Sequence, residues 1–152
     1  VITMLPSGKQ VREVYLGSGG IVENANPGTL LIDCSTIDVA TARAVAALAE
    51  AKGLVAVDAP VSGGIAAAQA GTLTFMVGGS VDAFGRAEPI LGDMGKAVIH
   101  AGVGGTGQAA KICNNMLLGA TMIATTDASP MDSSGSISAR HRASSLPAPS
   151  TS

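Results

Sequence analysis

Tryptophan is absent, and one tyrosine with two phenylalanines brings the aromatic share to only 2%. A core without large rings has to be built from Ala, Val, Ile, Leu and Met, which suits helices packed closely on a sheet. Charge is scarce at 13%, and the nine basic residues are scattered along a chain of formal net charge −2. With no basic patch, nucleic acid is not an expected partner. The two cysteines, Cys34 and Cys113, lie far apart and offer neither metal-ligand spacing nor a disulfide framework, so no metal is expected and a reducing compartment is. No run of 18 or more apolar residues occurs, and no membrane-spanning helix is expected. A leader is missing too: "VITMLP" begins without methionine and reads like a strand already under way. We expect the natural chain to extend before it.

What the sequence does have is 20 glycines and 47% hydrophobic residues in 152, enough for one domain with a real core. Strand-like and helix-like runs alternate. "VITML" (1–5) is apolar and stops at Pro6, and "KQVREVYLG" (9–17) is a short helix candidate closed by glycines. "TLLIDCST" (29–36) reads as a buried strand, followed by N-cap candidates Ser35, Thr36 and Asp38. "VATARAVAALAEAK" (39–52) repeats Ala42, Val45, Ala46 and Ala49 at helical spacing and ends at Gly53. "LVAVDAPV" (54–61) returns to strand, "AAAQAG" (66–71) to a short helix, and "TLTFMVGG" (72–79) to strand. "VDAFGRAEPILGDMG" (81–95) sets Phe84, Ala87, Leu91 and Met94 on one helical face, with a kink or restart expected at Pro89. "KAVIHAG" (96–102) is a strand, and a long apolar helix is expected from Gly107 to about Thr126. Such alternation predicts an α/β fold with a mostly parallel sheet flanked by helices.

Beyond Asp127 the composition changes. The last 25 residues hold nine serines and three prolines, with Met131, Ile137 and Leu146 as their large aliphatics. They cannot bury enough apolar surface to offset ordering entropy, so 128–152 is expected to be a disordered tail.

Two stretches carry candidate chemistry. In "GVGGTGQAAKICNN" (102–115), Gly102, Gly104 and Gly107 match a dinucleotide-binding fingerprint, after a strand and before a helix. Such a unit also needs a second strand and its terminal acidic residue within about twenty positions. Here 108–126 is one helical run, so the glycines are read as a tight turn at a helix start. That helix presents Lys111 and Asn115 four apart on one face. Alone, the pair is also what a snorkelling lysine and a backbone-bonded asparagine would leave. In "DAPVSGG" (58–64) a strand ends in a turn whose successive N–H groups can aim at an anion, with Ser62 adding a hydroxyl. An amine beside such a cradle is a plausible hydroxyacid site.

Taken in order, "VITMLP", "LLIDCSTID", "DAPVSGG", "GTLTFMVGG" and "GTGQAAKICNNMLL" resemble the 3-hydroxyisobutyrate dehydrogenase family of β-hydroxyacid dehydrogenases over residues 1–127. The resemblance implies a partial Rossmann-like NAD-binding domain over 1–106. It implies the start of a long interdomain helix over 107–127, and a tail unlike the family over 128–152. It implies a Gly-rich pyrophosphate loop before residue 1 and an all-helical domain after the helix. By position it implies Lys111 as catalytic acid/base, Asn115 as a substrate contact, and Ser62, Gly63 and Gly64 as holders of the substrate carboxylate. Leu5, Pro6 and Thr36 would line the nicotinamide side of the cleft. The implied cofactor is NAD, with NADP left open because the residue that chooses between them would precede residue 1.

The implied reaction is NAD-dependent oxidation of 3-hydroxyisobutyrate to methylmalonate semialdehyde, as in valine degradation, this chain being a fragment. The alternatives are a tartronate-semialdehyde or glyoxylate-type reductase on the same scaffold, or a truncated remnant without activity. A lysine at its free pKa is almost wholly protonated at neutral pH. It acts as a base only where desolvation or a neighbouring cation lowers that value, and in the reducing direction it can donate instead. The family implies a homo-oligomer, in the bacterial cytoplasm or the mitochondrial matrix.

Overall fold

The computed structural model describes residues 1–127; the expectation of a disordered tail falls outside them. Two units are distinguished, Val1–Asn115 and the part of the chain from Met116 onward.

In the first unit three short strands run parallel: β1 (Ile2–Thr3), β2 (Leu30–Asp33) and β3 (Val55–Asp58). Between them lie α1 (Gly8–Leu16), α2 (Ile21–Asn24) and α3 (Val39–Ala51). Each start carries a local signal. Ser7 caps α1 by accepting from Lys9 N, and Asp38 caps α3 by accepting from Thr41 N at 2.7 Å. After β3 the chain continues through Ala59-Pro60 into β4 (Val61–Ser62), then α4 (Gly64–Gln69) and β5 (Leu73–Gly78). The unit closes with α5 (Val81–Gly92), β6 (Gly95–Gly102) and the first turns of α6 (Thr106–Asp127).

The parallel sheet is joined by an antiparallel seam that hydrophobic periodicity does not specify. β5 runs opposite to β3 at Asp58↔Gly78 and to β4 at Val61↔Phe75 and Ser62↔Thr74. β6 then lies parallel to β5 on its other side. Alternation along β2 divides the core, since successive strand residues face opposite ways. Leu31 joins Val11, Tyr15, Val45, Ala49 and Leu54 under α1 and α3, while Ile32 joins Val57, Phe75, Val77, Ala87 and Leu91 under α5. Both faces are covered, as expected for strands of this apolarity.

The expected break at Pro89 does not occur: α5 runs through it without interruption. Pro89 is exposed, and the Gly85 residue whose carbonyl loses its partner is exposed too, so water can satisfy it. The expected apolar face is only partly right, because Ala83, Ala87 and Leu91 are the buried positions while Phe84 is half-buried. In the second unit, α6 continues from Met116, and its residues are exposed as far as Thr125. No described helix is long and apolar enough to cross a membrane.

Candidate active site

At the carboxyl ends of β1, β2 and β3 a continuous buried polar network forms. Asp33, the last residue of β2, accepts at Oδ1 from Thr3 Oγ1 (2.9 Å), Ser35 N (3.2 Å) and Ser35 Oγ (2.5 Å). Thr3 Oγ1 pairs with the Tyr15 hydroxyl at 2.6 Å, and Ser35 Oγ accepts from Leu5 N at 2.7 Å. Burial pushes the Tyr15 hydroxyl well above its usual range, partly offset by the Thr3 bond. The neighbouring Cys34 thiol is pushed up to about 12 by burial and by Asp33, which makes it an inert core group.

The second half of the network answers what the glycine run is for. Asp58 ends β3, and its carboxylate accepts from Gly105 N at 2.6 Å and Gln108 N at 2.9 Å, the donors at the start of α6. Free N–H groups at a helix start attract an anion. Here the protein's own carboxylate takes that place. Burial raises the Asp58 pKa above the ordinary carboxylate value; the two N–H bonds pull the other way. A Cβ on Gly107 would collide with the Met76 carbonyl and lie 2.7 Å from that of Asp58, so only glycine lets α6 start directly on the sheet. The G-x-G-x-x-G match is therefore a docking turn, and Asp58 already occupies two backbone N–H groups there, those of Gly105 and Gln108.

Gln108 is fully buried and joins the two halves. Its Nε2 donates to Ser35 O at 2.8 Å, and its Oε1 accepts from Ile37 N at 3.0 Å. The amide thus spans Thr36, which is exposed between buried Ser35 and Ile37. Sequence reasoning passed over both Asp58 and Gln108 as site residues. Their signal was present, a carboxylate and a carboxamide inside otherwise apolar motifs, but their partners lie 47 to 73 residues away.

The residues singled out from sequence divide into two groups. Leu5 is half-buried at the end of β1 and tied by its N–H to Ser35; Pro6 follows it, exposed. These and Thr36 gather at one edge of the sheet, and the start of α6 is bonded to the same loop through Gln108. Lys111 is half-buried one turn beyond Gln108, and Asn115 is exposed one turn further. Ser62 is half-buried in β4, while Gly63 and Gly64 are exposed with φ of 128° and 67°. Such angles fold the chain back as α4 begins and suit glycine. Among the described residues no hydrogen bond joins Lys111 or Asn115 to the Ser62–Gly64 turn. No cluster of His, Cys, Asp or Glu among them could hold a metal.

Exposed Met4, Pro6 and Thr36 offer apolar surface and one hydroxyl, side chains chemically compatible with the face of a nicotinamide ring. The N-terminus of α6 does not fit a pyrophosphate, because the Asp58 carboxylate already lies there, accepting from Gly105 N and Gln108 N. In open α/β sheets ligands bind outside the carboxyl ends of the strands, which is where this chain gathers its polar features, as a dinucleotide-binding domain does. The family described as the NAD binding domain of 6-phosphogluconate dehydrogenase matches residues 1–104, and the chain belongs to it.

Among curated proteins, 3-hydroxyisobutyrate dehydrogenase of Pseudomonas aeruginosa is 56% identical over 128 residues, covering 84% of this chain and 43% of that protein. The NAD-dependent L-serine dehydrogenase of the same organism is 50% identical, with the same coverage. A solved structure of Mycobacterium tuberculosis 3-hydroxyisobutyrate dehydrogenase with L-serine matches at a TM-score of 0.80 and 51% identity, covering 85% of this chain and 43% of that one. The chain thus spans about two-fifths of the length of the relatives it matches. These relatives agree with the resemblance read from the motifs.

Proposed function

We propose that these residues form the substrate-facing part of an NAD-dependent dehydrogenase of short β-hydroxyacids. 3-Hydroxyisobutyrate is the preferred substrate, oxidised to methylmalonate semialdehyde as in valine degradation. NAD, when bound, supplies the hydride acceptor. Leu5, Pro6 and Thr36 hold the nicotinamide edge, and Ser62 with the N–H groups of Gly63 and Gly64 holds the substrate carboxylate. Asn115 orients the substrate, and Lys111 Nζ takes the hydroxyl proton in oxidation or returns it in reduction. The single observation that carries the reading is the Gln108 clamp, which ties the helix bearing Lys111 to the loop bearing Thr36. The same reading carries a homo-oligomeric assembly in the bacterial cytoplasm or the mitochondrial matrix, and it rests there on the motif resemblance.

The test grafts the 128 matched residues into the Pseudomonas relative. The graft is assayed with NAD or NADP on 3-hydroxyisobutyrate and L-serine, and in reduction on tartronate semialdehyde. The expected result is turnover with NAD, fastest on 3-hydroxyisobutyrate, lowered about 10²–10⁴-fold by Lys111→Ala. An active graft indifferent to that substitution overturns the role of Lys111. Faster turnover on tartronate semialdehyde or L-serine replaces the substrate.

One observation favours a second reading, that the 152-residue chain by itself is a remnant without activity. Two backbone donors at the start of α6, Gly105 N and Gln108 N, are already bound to Asp58.

A further inference from the structure

The geometry points to Gln108 as a positioning residue that sets the spacing between Thr36 and Lys111. The inference deepens the dehydrogenase reading and rests on it. Gln108 bonds in two directions at once. Its backbone N–H donates to Asp58 at the end of β3, and its side chain pairs with both Ser35 and Ile37 beyond β2. It is fully buried, and no buried side-chain polar atom among the described residues lacks a partner.

The side-chain amide meets the 35–37 segment as a neighbouring strand would, donating to one carbonyl and accepting from the N–H two residues on. That pairing fixes the backbone on both sides of Thr36, leaving its own side chain exposed. Lys111 follows three residues later on the same helical side, about 4.5 Å further along the axis. One residue therefore holds both the nicotinamide-facing loop and the helix that carries the amine. In the proposed reaction the amine must meet the alcohol while the ring faces the carbon, so a slip of loop against helix strikes turnover directly. A misplacement of about 1 Å costs on the order of 10²-fold. The Ser62–Gly64 cradle shares none of these bonds, so substrate affinity should be largely spared.

Gln108→Ala and Gln108→Met are placed in the graft described above, the methionine refilling the volume without hydrogen bonds. Both should lose about 10–100-fold in kcat, with KM for the hydroxyacid moved less than about threefold. If methionine restores kcat, or if kcat falls only with the folded fraction, Gln108 is packing alone and the proposal is overturned. Amide hydrogen exchange in the full 152-residue chain gives an independent reading. In Gln108→Ala, Ile37 should exchange at least about tenfold faster, while Val57 and Val77 stay protected. Unchanged exchange at Ile37 also overturns the proposal. An inactive parent graft instead counts against the dehydrogenase reading, and the exchange result then still decides whether Gln108 holds the loop.

Discussion

Asp58 lies under the first turn of α6 with Gly105 N and Gln108 N on its two oxygens. Its pKa is raised, chiefly by burial. The folded chain therefore keeps a proton that the unfolded chain has already released, across the window from the ordinary carboxylate value up to the raised one. Its titration adds stability below that window and loses it as pH rises through the folded pKa. Asn at this position can accept only one of the two bonds and turns an amide donor on the other, at a cost of about 1–3 kcal/mol. Urea unfolding of wild type and Asp58→Asn should thus show a gap that narrows from acid to neutral pH. Taking the difference cancels other groups such as Asp38, whose pKa is lowered by its Thr41 bonds and whose contribution runs the other way. A gap that widens with pH would contradict the assignment. At this scale the sequence revealed residue types but not partners. Lys111, Ser62 and Thr36 stand out because a polar group in a patterned motif is locally conspicuous. Asp58 and Gln108 matter through contacts that only the folded chain creates, which no local window contains.

The order of elements could be read except for α2, which no pattern announced, and β4, which continues β3 in one apolar stretch; the others are local patterns closed by local stops. Ser7, Ser80 and Asp38 all cap the helices they precede. Strand direction was not legible: β5 reads as an apolar strand whichever way it runs, and its pairing against β3 depends on the Ala59-Pro60 passage into β4. Pro89 misled for a different reason. Proline in a helix costs a bond and a clash, but the penalty breaks the helix only where packing cannot hold it. α5 is held by Ala83, Ala87 and Leu91 on the sheet, and Pro89 sits on the opposite, exposed side. Replacing it should then release strain without disturbing a contact. Pro89→Ala is expected to raise stability by about 2 kcal/mol, a proline's helix penalty less its restriction of the unfolded chain. A lower thermal midpoint for that variant would show that the ring is needed where it stands.

Considered whole, the described chain concentrates its buried polar groups at one edge and leaves the rest of the sheet to aliphatic packing. In the proposed reading that edge meets the nicotinamide, yet Asp58 occupies two of the backbone donors at the start of α6. A dinucleotide site seats the pyrophosphate on a helix N-terminus and holds the adenosine ribose further along, so the ring is only one of several contacts. A surface that meets only the ring should therefore bind weakly, even if every residue at the edge is in place. Titrating the 152-residue chain against NADH, followed by nicotinamide fluorescence, should give millimolar binding or none. Thr36→Val should leave that result unchanged, because no single edge contact can stand in for a seat for the diphosphate. Submicromolar binding would mean that the described residues hold the diphosphate after all, and that the carboxylate of Asp58 gives way to it.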